Sequence, residues 1–249
     1  MYINNEAKCL YDTIGKDIEK YFCNYKIEDI YTYDFSISNL ELFTKDEIFK
    51  INNLKNGFEK NIELKILLSN KLKDAKNKGV YYKWIVTEWG GISSFKQKEE
   101  EIEKFLLNVS KNKLNSLQFN TIASYSKIIS FIYPFEYFIF DSRVAFVLNW
   151  LLLKNYKKDN KYFLNPPGRN ADIVKYNMDT IISLYKKHDE KLFFKKNEIY
   201  FIYCDFVKYV HKNMKNERIK FPYYIEMILF GLFDKICCEL KNSVNVIIE

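Results

Sequence analysis

Residues Ser126–Asn149 read SKIISFIYPFEYFIFDSRVAFVLN, and the fold turns on how this stretch is read. Lys127 stands on one apolar segment, and Asp141 follows 14 residues later at the mouth of a second, almost wholly apolar one. Pro134 ends the first segment, because proline offers no amide donor and its ring collides with the preceding turn. A short aromatic run, Tyr137–Phe140, then leads into the aspartate. The segment Ser142–Asn155 is predicted to be a helix that is apolar on nearly all sides, with Asn149 the main exception; such a helix lies in the middle of a bundle. A charge placed where two buried segments meet is costly unless it is paired or used.

Outward from this stretch the pattern is helical. Leu10, Ile14, Ile18 and Phe22 recur at four-residue steps and predict a helix over Glu6–Tyr25. Lys26–Phe43 is irregular, with alternation around Ile30–Ile37 that suits a short strand or an extended loop. Thr44 with Glu47 predicts a capped helix start. A helix over Asn61–Lys78 is expected to stop at Gly79, and one over Val80–Glu88 at Gly90-Gly91. Ser93-Ser94 are expected to cap a charged helix to Lys111, whose Lys98–Lys104 run reads as a solvated face. Helices are predicted for Leu117–Tyr133, from Asn170 to Lys187, over Asn197–Lys215, and over Pro222–Lys241, where Pro222 suits a first turn. Val244–Ile248 forms a short apolar tail. The count is nine or ten helices in one compact chain, with 1–80 and 81–249 as the natural division.

Composition supports an all-α fold. Only 7 Gly and 4 Pro occur in 249 residues, too few turn-formers for a β-sandwich or barrel. The net charge of +7 fits a polyanionic partner such as nucleic acid or an acidic membrane surface. Lysine also dominates as it would in an A+T-rich coding sequence, so the three arginines, Arg143, Arg169 and Arg218, say more: a planar fork suits bidentate phosphate contact. The five cysteines form no C-x-x-C pair and only two histidines exist, which argues against zinc. They are expected to be mostly buried free thiols, as in a reducing cytoplasm. Met1–Ala7 is polar and unlike a secretory signal. The longest strongly apolar run, Val144–Leu153, is ten residues, too short to cross a bilayer.

Two residues could carry chemistry. Asp141 precedes a helix, where a carboxylate accepts from first-turn amides and faces the positive end of the dipole. A plain cap is the ordinary role; delivery by Phe138, Ile139 and Phe140 places this one at a partly buried position, where it could activate a nucleophile or stabilise a developing cation. Lys127 is ordinarily a surface lysine with a buried stem, and otherwise a desolvated amine able to attack a sugar carbon. They gain meaning together.

The stretch resembles the core of helix-hairpin-helix DNA glycosylases, in particular the bacterial 8-oxoguanine DNA glycosylase-like branch. Ser126-Lys127-Ile128-Ile129 resembles the lysine element, and Pro134 with Phe138–Ala145 the aspartate element. Asn165–Asn170 and Ile225–Phe230 also look like that branch, and the likeness spans roughly Tyr81–Phe233. Where the family has a Gly-x-Gly hairpin before the lysine, this chain has Ile122–Ser126, and its Lys–Asp separation is shorter. The resemblance implies an all-α glycosylase-like bundle that excises an oxidised or otherwise modified base from double-stranded DNA. It implies Lys127 as nucleophile, with strand scission to follow from the Schiff base, and Asp141 as activating carboxylate, without cofactor or metal. A role in repair and a role in defence against foreign DNA are equally open.

Cleaving an N-glycosidic bond passes through an oxocarbenium-like sugar, which a nearby carboxylate stabilises. The base must first leave the stack and rest between apolar side chains. Trp84, Trp89, Tyr125, Tyr133 and Phe135 are candidates for that lining, and Arg143, Arg169 and Asn170 for DNA contact. Two other readings stay open at this point: a nucleic-acid-binding helical module without catalysis, and a protein-interaction scaffold.

Overall fold

A computed structural model describes residues 4–96, 98–155, 160–168, 170–186, 190–214 and 216–243. The chain is an all-α, multi-helix bundle. The N-terminal part holds α1 (Asn5–Asn24), the short α2 (Ile27–Ile30), α3 (Lys45–Asn52) and α4 (Gly57–Asp74). The middle holds α5 (Lys78–Trp84), α6 (Glu99–Ser110), α7 (Ser116–Phe119), α8 (Ile122–Ile132) and α9 (Ser142–Lys154). The rest comprises α10 (Ala171–Lys175), α11 (Met178–Lys186), α12 (Ile199–Asn213), α13 (Tyr223–Gly231) and α14 (Phe233–Ser243). The described residues form no strand; Tyr162 and Phe193 make one isolated parallel bridge. The alternation near Ile30–Ile37 becomes the one-turn α2 followed by extended chain.

Helix α9 is the axis of the bundle. Ten of its residues are buried, and α1, α10, α11, α13 and α14 all pack against it. Its buried Asn149 satisfies both backbone groups of Phe163: Nδ2 donates to the carbonyl at 2.6 Å and Oδ1 accepts from the amide at 2.8 Å. The N-terminal helices are part of the same packing, since α1 lies on α9 and α12, and α4 lies on α8.

Several boundaries differ from the sequence reading. The Thr44–Glu47 capping box is present, but the next helix ends at Asp74 rather than at Gly79, which falls inside α5. The charged helix begins at Glu99, after an uncapped Lys98, and not at Ser93-Ser94. The single helix foreseen after Asn170 breaks around Tyr176 and Asn177, and that after Pro222 breaks at Leu232. Helical periodicity survives a one-residue break, so it does not mark one. Val244–Ile248 lies outside the described residues. Three of the five cysteines, Cys9, Cys23 and Cys238, are exposed, and only Cys204 and Cys237 are buried, all of them free thiols. No described helix is long and apolar enough to cross a membrane.

Helix α5 runs into a π-turn, Ile85–Trp89, closed by the Gly90 amide on the Ile85 carbonyl at 2.8 Å. The chain leaves it through Gly91 in the left-handed region, φ 67°, where a side chain is strained. The Ile92 amide then returns to the Val86 carbonyl at 3.0 Å, in the manner of a glycine C-cap.

Candidate active site

Helix α8 presents Lys127 and the start of α9 presents Asp141, and both line one cavity of about 310 Å³. Tyr31, Tyr33, Trp89, Gly90, Arg143, Asn170, Glu226 and Phe230 complete most of its wall. The volume is at the lower end for small-molecule sites.

Asp141 caps α9 with one oxygen. Oδ1 accepts from the Arg143 amide at 3.0 Å and the Val144 amide at 3.1 Å, so Oδ2 takes no part in the cap. Lys127 lies with its stem against Gly90; a Cβ there would come within 2.9 Å of Lys127 Cδ and of the Ile85 carbonyl oxygen. Its Nζ donates to the Ala123 carbonyl at 3.3 Å. Burial pushes the Lys127 amine below the usual lysine range; Asp141 and Glu226 oppose that shift, and the Arg143 guanidinium adds to it.

The extended approach to Asp141 has no sheet to join, so side chains must satisfy its backbone. Tyr200 Oη donates to the Phe138 carbonyl at 3.1 Å and Tyr203 Oη to the Ile139 carbonyl at 2.9 Å. The Ile139 amide donates to Glu226 Oε2 at 3.0 Å, and the Phe140 amide to Ser126 Oγ at 3.0 Å. The last bond matters for geometry. Ser126 adjoins Lys127 and Phe140 adjoins Asp141, so one buried hydrogen bond sets the two chemical groups relative to each other.

An aromatic wall faces them. Trp89 Nε1 donates to Asn61 Oδ1 at 3.0 Å, Asn61 Nδ2 donates to the Tyr33 carbonyl at 3.2 Å, and Tyr33 Oη donates to the Trp89 carbonyl. Tyr33 packs edge-on against both Trp89 and Phe230, with centroids 5.5 and 6.0 Å away. The Arg143 guanidinium lies over Phe230 at 4.9 Å and over Phe233 at 5.6 Å, a stacking that orients its fork.

Of the residues singled out from sequence, Lys127, Asp141, Arg143, Asn170 and Trp89 line this cavity. Asn170 does so while capping α10 through the Asp172 and Ile173 amides. The others do not. Trp84 is buried against Phe43. Tyr125 lies two positions before Lys127, on another side of α8, and packs on Phe105. Tyr133 and Phe135 sit past the end of α8, about half exposed, near Tyr137 and near Phe221 with Tyr223 respectively. Arg169 lies outside the described residues. Arg218 is tied to the Phe22 carbonyl, away from the cavity.

Sequence reasoning passed over Tyr31, Tyr33, Asn61, Lys65 and the role of Glu226. The signal was there for two of them. Glu226 is the lone charge in the apolar helix YYIEMILFG, and Lys65 sits between Leu64 and the Ile66-Leu67-Leu68 run. No family model, curated protein or solved structure matches this chain.

Proposed function

We propose that the protein is a DNA N-glycosylase that removes an oxidised or otherwise modified base from duplex DNA. The observation that carries the reading is that a desolvated amine and a carboxylate with one oxygen left out of the helix cap line one ring-walled cavity. The extruded nucleotide enters that cavity, and its base rests among Tyr31, Tyr33, Trp89 and Phe230. As the glycosidic bond stretches, its electron pair leaves with the base and positive charge grows on the sugar, where Asp141 stabilises it. The neutral Lys127 amine attacks C1′, forming an N–C bond, and gives up a proton to Asp141. The sugar ring opens as Asp141 returns that proton to O4′, leaving a protonated Schiff base; Asp141 then takes a C2′ proton, and the 3′ phosphate departs with the C3′–O electron pair by β-elimination. Arg143, held on two rings at the cavity edge, contributes a phosphate or base contact.

The test is borohydride trapping on a panel of duplexes carrying oxidised or otherwise modified bases. A covalent adduct that disappears in Lys127→Ala is expected. Base release that survives in Lys127→Ala and Asp141→Asn, or no release and no adduct from any duplex, refutes the reading and leaves binding without chemistry.

A further inference from the structure

A second pair of charges joins the cavity wall to the interior behind it: Glu226 lines the cavity and Lys65 does not. Glu226 is 3% exposed and Lys65 is 2% exposed. Lys65 Nζ stands 3.6 Å from Glu226 Oε2 and 3.3 Å from Ser130 Oγ. It also lies over the rings of Phe131 at 5.0 Å and Tyr223 at 5.7 Å. Those ring faces and that hydroxyl are the surroundings of a cation held in place. The same Glu226 oxygen accepts the Ile139 amide two residues before Asp141. Lys65 comes from α4, outside the stretch that carries Lys127 and Asp141.

Charge arithmetic gives this pair a purpose. The cavity wall carries Lys127 and Arg143 against Asp141 and Glu226. Without Lys65 those four groups balance only when Lys127 is protonated. With Lys65 matched to Glu226, the five groups together are neutral when Lys127 has lost its proton. We propose that Lys65 is a positioning residue that claims Glu226 as its own counter-ion and thereby leaves Lys127 available as a neutral amine. The inference rests on the nucleophilic role given to Lys127 above and supplies the reason for that amine's protonation state.

The groups facing Lys127 are Asp141 and Arg143 from the start of α9 and Glu226 from α13. Those facing Glu226 are Lys65, Asp141, Lys127 and the hydroxyls of Tyr31, Tyr203 and Tyr223, whose titration burial drives so high that they stay neutral. Burial raises the Glu226 carboxyl and lowers the Lys65 amine, and each is the other's chief compensation.

The experiment is competitive acetylation of the intact protein with trace acetic anhydride from neutral to alkaline pH, each lysine being followed by peptide mass spectrometry. Lys127 is expected to keep its reactivity to lower pH than an ordinary lysine does. In Lys65→Met, Glu226 turns to Lys127, whose titration midpoint rises; labelling at a fixed pH below that midpoint falls roughly tenfold for each pH unit by which the midpoint moves up. The double variant Lys65→Met/Glu226→Gln is expected to return towards wild type. Should Lys65→Met fail to fold, Glu226→Gln, which keeps the side-chain shape, decides: the Lys127 midpoint must fall, since Lys65 is left uncompensated. A midpoint unmoved in the variants that fold, or displaced the other way, overturns the proposal. No DNA enters the measurement. A midpoint that moves as expected with no trapped adduct on any duplex therefore refutes the glycosylase reading alone, and an adduct with an unmoved midpoint refutes the charge assignment alone.

Discussion

Replacing Ser126 by alanine removes the acceptor that ties the lysine helix to the approach of the aspartate. Ser126 and Phe140 are both 0% exposed, so water cannot substitute. The hydroxyl accepts the Phe140 amide at 3.0 Å, while its own contact with the Phe140 carbonyl is long, at 3.5 Å. The loss is therefore mainly one buried donor left unsatisfied, which costs about 1–3 kcal/mol. Alanine regains roughly 0.5 kcal/mol of helix propensity over serine. Ser69→Ala provides the control: its hydroxyl bonds within its own helix, to the Ile66 carbonyl, at an exposed position. It gains the same propensity without leaving a buried donor behind. The two variants should differ by about 1–3 kcal/mol in urea unfolding, with Ser126→Ala the less stable. Under native conditions Ser126→Ala should also slow adduct formation, because the amine and the carboxylate lose their shared reference point. A difference below about 0.5 kcal/mol between the two alanine variants would refute the claim that this bond holds the site together.

Other outcomes follow from the same geometry. Asp141→Asn should fold with stability within about 0.5 kcal/mol of wild type, because asparagine caps a helix as well as aspartate, while base release falls by at least about a hundredfold; single-turnover assays with matched melting curves check both. Gly90→Ala forces a methyl to within 2.8 Å of the Val86 carbonyl oxygen and 2.9 Å of Lys127 Cδ, so it should destabilise by about 1–3 kcal/mol and displace the lysine, read as lost stability and a lower trapping rate. Asp179 has its carboxyl raised from 3.8 to about 6 by burial, opposed by the Asn165 amide. The folded state then holds this proton more tightly than the unfolded, so the contribution is full below the ordinary value and lost as pH rises through about 6. Asp179→Asn should remove that loss, giving up to about 3 kcal/mol over wild type at neutral pH and little difference near pH 4, by denaturation at both pH values.

Much of the architecture was legible because local chemistry is enough for it. The Thr44–Glu47 capping box, the Asp141 cap and the apolar periodicity of α1 each need only a few neighbouring residues. The same was true of the central helix, since a segment apolar on every side has nowhere to go but the middle. Breaks such as that at Leu232 were not legible, because the residues on both sides keep the helical period. The lining of the cavity was misread for a related reason. Trp84 and Tyr125 are aromatic and near the right residues in the chain, but which side of a helix faces a cavity depends on what packs opposite, here Phe43 and Phe105.

The sequence by itself determined an all-α chain with a buried central helix, and placed a lysine and a capping aspartate on two adjoining apolar segments. Those properties follow from periodicity, capping and hydrophobic run length, all short-range. Tertiary structure alone decided that the two groups open into the same cavity, that Tyr31 and Tyr33 wall it, and that Lys65 answers Glu226 across a separation of 161 positions in the chain. The reason is that a buried charge or backbone amide accepts whichever partner the packing delivers, and no spacing rule in the chain encodes that delivery.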